Sequence, residues 1–274
     1  GTPFPLLSNA GKSFQGSIIL GMGFVLEIGE AEKLIELNLI NRNVLFPYLN
    51  GDDLNNNPNQ KPSRYVINFF DWTEEKAAQY NEVFIIVEKK VKPERTRWKT
   101  DKEGNQIVGE FALRKPLPEK WWQHCEKRPA LYNAAKQLNR VLVSCRVSKY
   151  VNQSFVNVGA IFDVATSVVM RSEYWEYAFL QSSLHNHWAW KYASTLESRI
   201  RYVNVDCIDT FPILENLPSE IQNKLETIGE AYHEHRRQLM LGMQLGLTKT
   251  YNAFHAEDVQ TGIITSILYG LDKK

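Results

Sequence analysis

Residues 194–202 read Ser-Thr-Leu-Glu-Ser-Arg-Ile-Arg-Tyr, a run in which charged and apolar side chains alternate. In an extended chain, successive side chains leave opposite faces. Leu196, Ile200 and Tyr202 are then expected on a core face, and Thr195, Glu197, Arg199 and Arg201 on the other. Neighbours in that polar row stand roughly 6.6 Å apart, close to two base-pair steps of about 3.4 Å. A guanidinium donates a bidentate pair of hydrogen bonds to guanine O6 and N7, and a carboxylate accepts from the cytosine amine. The competing expectation is a solvent-facing ladder of cross-strand ion pairs.

Other stretches imitate chemistry without completing it. Gly11-Lys12-Ser13 ends like a phosphate-binding loop, but Leu6 stands where its first Gly belongs. Gly21 and Gly23 lack the third Gly of a dinucleotide fingerprint, because Leu26 holds that place. Asn57-Pro58-Asn59 lacks the aromatic that an amino-methyltransferase stacks on a flipped base. Asp71, Glu88 and Lys90 are residue types of a magnesium nuclease, yet Val83, Phe84, Val87 and Val91 recur at helical spacing and put Glu88 to Lys90 on a solvated face. Arg95, Arg97 and Lys99 interleave with Trp98 as phosphate contacts would. Trp121 and Trp122 are expected in the core. His185 and His187, two apart on a helix, diverge, and no metal site is expected. Three widely spaced cysteines suit neither a disulfide framework nor a zinc site, and point to a reducing cytoplasm.

Positioning these groups requires a folded body, and 43% hydrophobic content in 274 residues supports one. The net charge of +1 hides a basic segment: residues 88–128 hold 12 Lys or Arg against 7 Asp or Glu. Such a segment suits a partner that is anionic on one side. No apolar run reaches membrane length and no signal peptide is expected. The missing initial Met suggests a segment of a longer protein. A short helix is expected over 30–38, strands over 44–49, 65–70, 141–147 and 155–158, and a strand pair within 161–170 broken near Asp163. Residues 50–59 read as an asparagine-rich loop with a turn at 57–59, Thr73 as an N-cap, and 174–192 as one aromatic helix. A capping box at Ser219 and Gln222 opens a long helix whose stripe is Ile221, Leu225, Ile228, Tyr232 and Leu239. The expected fold is α+β: a twisted, mainly antiparallel sheet with flanking helices, then a C-terminal helical segment. The divisions are a body over 1–215, a helical appendage over 216–256 and a weakly ordered tail over 257–274.

A series of segments then carries a resemblance: 46–54, 63–72, 91–95, 113–122, 126–129, 146–149, 194–202 and 210–212. Together, in this order and over residues 12–256, they resemble the target-recognition domain of MmeI-like single-chain restriction–modification proteins and related phage-defence methyltransferases. The resemblance implies sequence-specific recognition of double-stranded DNA. In such proteins a nuclease and an N6-adenine methyltransferase domain lie N-terminal, so a methyltransferase domain of the same chain is an implied partner and S-adenosylmethionine an implied cofactor of the parent, with none in this segment. It also assigns base reading to Glu197, Ser198, Arg199 and Arg201, and by spacing to Ala165. Alternation sends Ser198 to the core side, so the two expectations conflict there. Arg146 and Lys149 join Arg95, Arg97 and Lys99 as expected phosphate contacts. Two other classes remain open: a nuclease built on Asp71, Glu88 and Lys90, and a module that orders neighbouring domains through its long helix.

Overall fold

A computed structural model describes residues 2–256. The architecture is α+β, with a central four-stranded antiparallel sheet in the spatial order Ser13–Gln15, Thr166–Val169, Arg140–Cys145, Ser154–Asn157. Arg140–Cys145 carries the apolar run Val141, Leu142 and Val143 and lies inside that sheet, buried from its second residue onward. A second sheet runs Ile161–Phe162, Leu45–Leu49, Arg64–Ile67, Val25–Glu27, its one parallel pairing between the first two. A small third sheet holds Thr195–Leu196, Arg199–Arg201 and Val147–Ser148. Trp98–Thr100 and Gln106–Phe111 form a separate hairpin, with Trp98 stacked on Phe111 at 4.7 Å.

The expected strands and the Thr73 cap are present, as is the break near Asp163. Trp121 and Trp122 are buried in the core around Phe24 and Phe69. The chain departs from expectation where polar side chains rather than apolar period decide. Residues 51–56 are a helix, not a loop, because Asn50 and Asp53 cap each other reciprocally. The aromatic helix is two, Tyr174–Leu180 and Ser183–Tyr192, the second opened by the Ser182 hydroxyl accepting from the His185 N–H. Pro218, not Ser219, occupies the N-cap position of the long helix Ser219–Met243, and no side-chain cap forms.

That helix also buries a different face from the expected stripe. Ile221, Ile228, Tyr232 and Leu239 are exposed, whereas Gly229, Arg236 and Met240 are buried. A Cβ on Gly229 would fall 2.0 Å from the Tyr174 carbonyl oxygen, so glycine is what admits the helix to Tyr174–Leu180. Arg236 then donates to the Gln153 carbonyl at 2.7 Å. A final helix, Leu247–Phe254, sits against Gly51–Asn56. The expected tail over 257–274 lies outside the described residues. Among these, no helix is long and apolar enough to cross a membrane.

Candidate nucleic-acid interface

The stretch 194–202 is a hairpin, not the single strand that alternation suggests. Leu196 pairs opposite Arg199, so Glu197 and Ser198 form a two-residue turn. Ser198 is exposed there, which resolves the conflict over its side chain, while Leu196 is exposed instead of joining the core. Beyond the turn the alternation holds: Ile200 and Tyr202 are buried, and Arg199 and Arg201 face solvent. Glu197 has φ 56°, a conformation that costs a residue with a Cβ roughly 1–2 kcal/mol and that glycine usually fills in such turns. Arg199 donates to the Glu197 carboxylate at 2.7 Å. The pair is exposed and contributes at most about 1 kcal/mol, so a base edge can readily replace it.

Arg146 ties this hairpin to the central sheet. The chain leaves Arg140–Cys145 and enters Val147–Ser148, which pairs with Arg199–Arg201. Between the two strands the Arg146 N–H donates to the Ala165 carbonyl, and the Arg146 carbonyl accepts from the Tyr202 N–H, both at 2.8 Å. Ala165 is exposed on the turn after Asp163, whose carboxylate accepts from the Ala165 N–H at 2.8 Å. Ala165, Arg146 and Arg201 therefore converge, together with the helix Gly51–Asn56, on a cleft of about 430 Å3.

Charge in that cleft is unbalanced. Burial, and then the neighbouring Arg201 and Arg128, holds the Arg146 pKa below the ordinary guanidinium value. Arg128 is paired with Glu126 at 2.6 Å. Among the described residues neither Arg146 nor Arg201 has a carboxylate partner, and Arg146 Nε is enclosed without a hydrogen bond. Asp52, on the same rim, accepts from Asn56 at 2.5 Å. Cys145 donates to the Gly51 carbonyl at 3.2 Å, and burial pushes its thiol up to about 12, so it remains protonated and acts as a spacer.

A buried polar network holds the strand Arg199–Arg201 from beneath. The Tyr202 hydroxyl accepts from Gln153 Nε2 at 2.9 Å, which directs its own proton to His185 Nε2 at 2.7 Å. Gln153 is the residue whose carbonyl receives Arg236, so the long helix and the hairpin share one anchor.

Besides Arg146 in the cleft, the expected phosphate contacts separate into three groups. Arg95 is fully buried and is no surface contact. It donates to the carbonyls of Ile19, Leu20, Trp121 and Gln123 and lies over the Phe24 ring. Burial, first, pushes its pKa down to about 10. Its spacing resembled that of Arg97 and Lys99, but it folds inward because the loop carbonyls around Leu20 and Trp121 have no strand to satisfy them. Arg95→Ala is expected to lower the unfolding free energy by about 3 kcal/mol or more, because several carbonyls lose their donor together. Urea denaturation is the measurement, and an unchanged midpoint would remove the strut role. Arg97 is exposed and Lys99 reaches Glu110 at 3.4 Å, both on the separate hairpin. Lys149 is exposed and donates to Asn252 at 2.7 Å, on the last helix.

Of the three nuclease candidates, Asp71 pairs with Lys127 at 2.8 Å, Glu88 pairs with Lys92 at 2.9 Å, and Lys90 is exposed on the helix Asn81–Lys90. Among the described residues no cluster of three or more His, Cys, Asp or Glu has a metal-binding arrangement. Asp52 and Asn55, which also line the cleft, were hidden by reading 50–59 as a loop. The Asn-x-x-Asp spacing of Asn50 and Asp53 was the signal that could have revealed them.

No curated protein matches this chain. A solved structure of the Type IIL restriction-modification enzyme MmeI in complex with DNA shares its fold, with TM-score 0.64 and 17% identity. The similarity covers 86% of this chain and 29% of that one, so this chain spans under a third of the enzyme's length. The sequence model described as "MmeI, target recognition domain" matches residues 9–215. The chain belongs to the MmeI target-recognition-domain family.

Proposed function

We propose that this chain reads the sequence of double-stranded DNA for a bacterial restriction–modification protein in the cytoplasm. It would position a target adenine for N6-methylation by a methyltransferase domain of the same parent. The observation that carries this reading is the hairpin that exposes Glu197, Ser198, Arg199 and Arg201 beside a cleft whose two guanidiniums lack carboxylate partners among the described residues. Such a surface presents donors and an acceptor outward, as base edges require. S-adenosylmethionine would be the methyl donor, and the cleft does not fit it. Two unpaired guanidiniums oppose a sulfonium cation, and Asp52 is already held by Asn56. The donor therefore belongs with the parent's methyltransferase domain, and this chain's part is binding and orientation.

The test is selection from a random duplex library, read by sequencing the bound fraction. Enrichment of one motif is expected, and no enrichment at any salt concentration would overturn the reading. Affinity should also fall with salt, each phosphate contact adding a slope of about −0.9 in log affinity against log salt. Arg97→Ala with Lys99→Ala is expected to flatten that slope by about 1.8 while leaving the motif unchanged. An unchanged slope removes both residues from the footprint.

A further inference from the structure

We propose that Asn55 is a further base-reading residue, recognising an adenine at a base pair beside the one that Arg201 contacts. The proposal rests on the DNA-reading function above and adds a residue from a distant part of the chain. The asparagine-rich run around it has mostly structural employment. Asn50 caps the helix Gly51–Asn56 by accepting from the Asp53 N–H at 2.9 Å. Asn56 donates to Asp52, Asn57 donates to the Lys61 carbonyl at 3.2 Å, and Asn59 accepts from the Lys61 N–H at 2.9 Å. Asn55 has none of these duties: its half-buried side chain lines the cleft with Arg146, Ala165 and Arg201, and among the described residues no partner engages its amide. Helix propensity does not explain it either, since asparagine is a poorer helix former than alanine.

Its backbone is fixed where a reading residue needs it fixed. A Cβ on Gly246 would come within 2.5 Å of the Asn55 carbonyl oxygen and 2.4 Å of the Asn56 Cα, so the last helix presses directly on this turn. The Cys145 thiol secures the other end of the same helix at Gly51. The side chain is thus presented from a clamped backbone, which lowers the ordering cost of a contact. A carboxamide offers one donor and one acceptor side by side, the complement of adenine N7 and N6. Val147, Val164 and Val203 line the same cleft and give the thymine methyl of that base pair an apolar surface.

The experiment uses the full-length gene product and a duplex library randomised at every position, comparing the unchanged protein with Asn55→Ala and Asn55→Asp. Asn55→Ala is expected to weaken the adenine preference at one position by roughly five- to hundredfold, leaving the other positions as they were. Asn55→Asp keeps the shape but only accepts, so the preference at that position should move towards cytosine. Since Asn55 makes no side-chain hydrogen bond among the described residues, both variants should melt near the parent temperature. Should Asn55→Ala fail to fold, the near-isosteric Asn55→Asp decides alone. If the unchanged protein enriches a motif that both variants reproduce at equal strength, the proposal is overturned and the DNA-reading function stands. If both variants weaken every sequence alike, Asn55 touches the phosphate backbone and base reading by it is likewise overturned. If the unchanged protein enriches nothing, the function itself fails, an outcome distinct from the other two.

Discussion

Glu197→Lys combined with Arg199→Asp is expected to invert one base pair of the recognised site and leave its other positions intact. Glu197 occupies a positive-φ position where glycine would relieve roughly 1 kcal/mol, and its carboxylate gains only an exposed ion pair with Arg199 at 2.7 Å. That pair contributes too little to justify the backbone, which is the reason to expect a ligand at the carboxylate. If Glu197 accepts from cytosine and Arg199 donates to guanine across one base pair, either single change leaves one mismatched contact. The cost is about 1–3 kcal/mol. The double change restores both contacts with polarity reversed. A purely structural ion pair predicts otherwise, since the swapped pair would hold the hairpin with no effect on the motif. Mapping methylated positions across a genome, with the variants in the full-length protein, separates the two. A folded double variant that keeps the original motif would reduce Glu197 and Arg199 to a surface salt bridge. Glu197→Gly sharpens the contrast, because it should stabilise the hairpin while discrimination at that base pair falls.

The second large effect is acid lability. Burial pushes the His185 imidazole down to about 3 and the His124 imidazole down to about 4, against about 6.5 in an unfolded chain. Both rings are neutral in the folded state, with His124 Nε2 at 2.7 Å from the Ile67 carbonyl and His185 on Tyr202. The unfolded chain therefore binds protons first as pH falls. The stability that these residues contribute is present above pH 6.5 and is lost progressively towards the folded values. By pH 4 the loss is on the order of 3 kcal/mol for each ring, set against a total stability of about 5–15 kcal/mol. Urea midpoints measured at pH 7, 5.5 and 4 should fall steeply, and His124→Gln should remove its share of the slope. A midpoint that stays level down to pH 4 would mean that these rings are open to protonation in the folded state.

Local rules located much of this protein before its fold was known. The strands Leu45–Leu49, Arg64–Ile67 and Arg140–Cys145 each carry a run of apolar residues that burial stabilises, and Thr73 caps through its own hydroxyl. Arg199 and Arg201 were legible as outward residues because Ile200 between them and Tyr202 after them must be buried, and the period of two fixes the rest. Tertiary structure decided what depends on partners distant in sequence. Arg95 and Arg97 are two residues apart with the same charge, yet one is sealed among the carbonyls of Ile19, Leu20, Trp121 and Gln123 and the other faces water. The long helix binds through Gly229 and Arg236 instead of its apolar stripe, because close approach to Tyr174 and a bond to Gln153 outweigh periodicity. The cleft itself has no sequence signature. Asn55, Arg146, Ala165 and Arg201 come from four separate elements, and they meet only because Arg146 bonds to Ala165 and Tyr202 at the seam between two sheets.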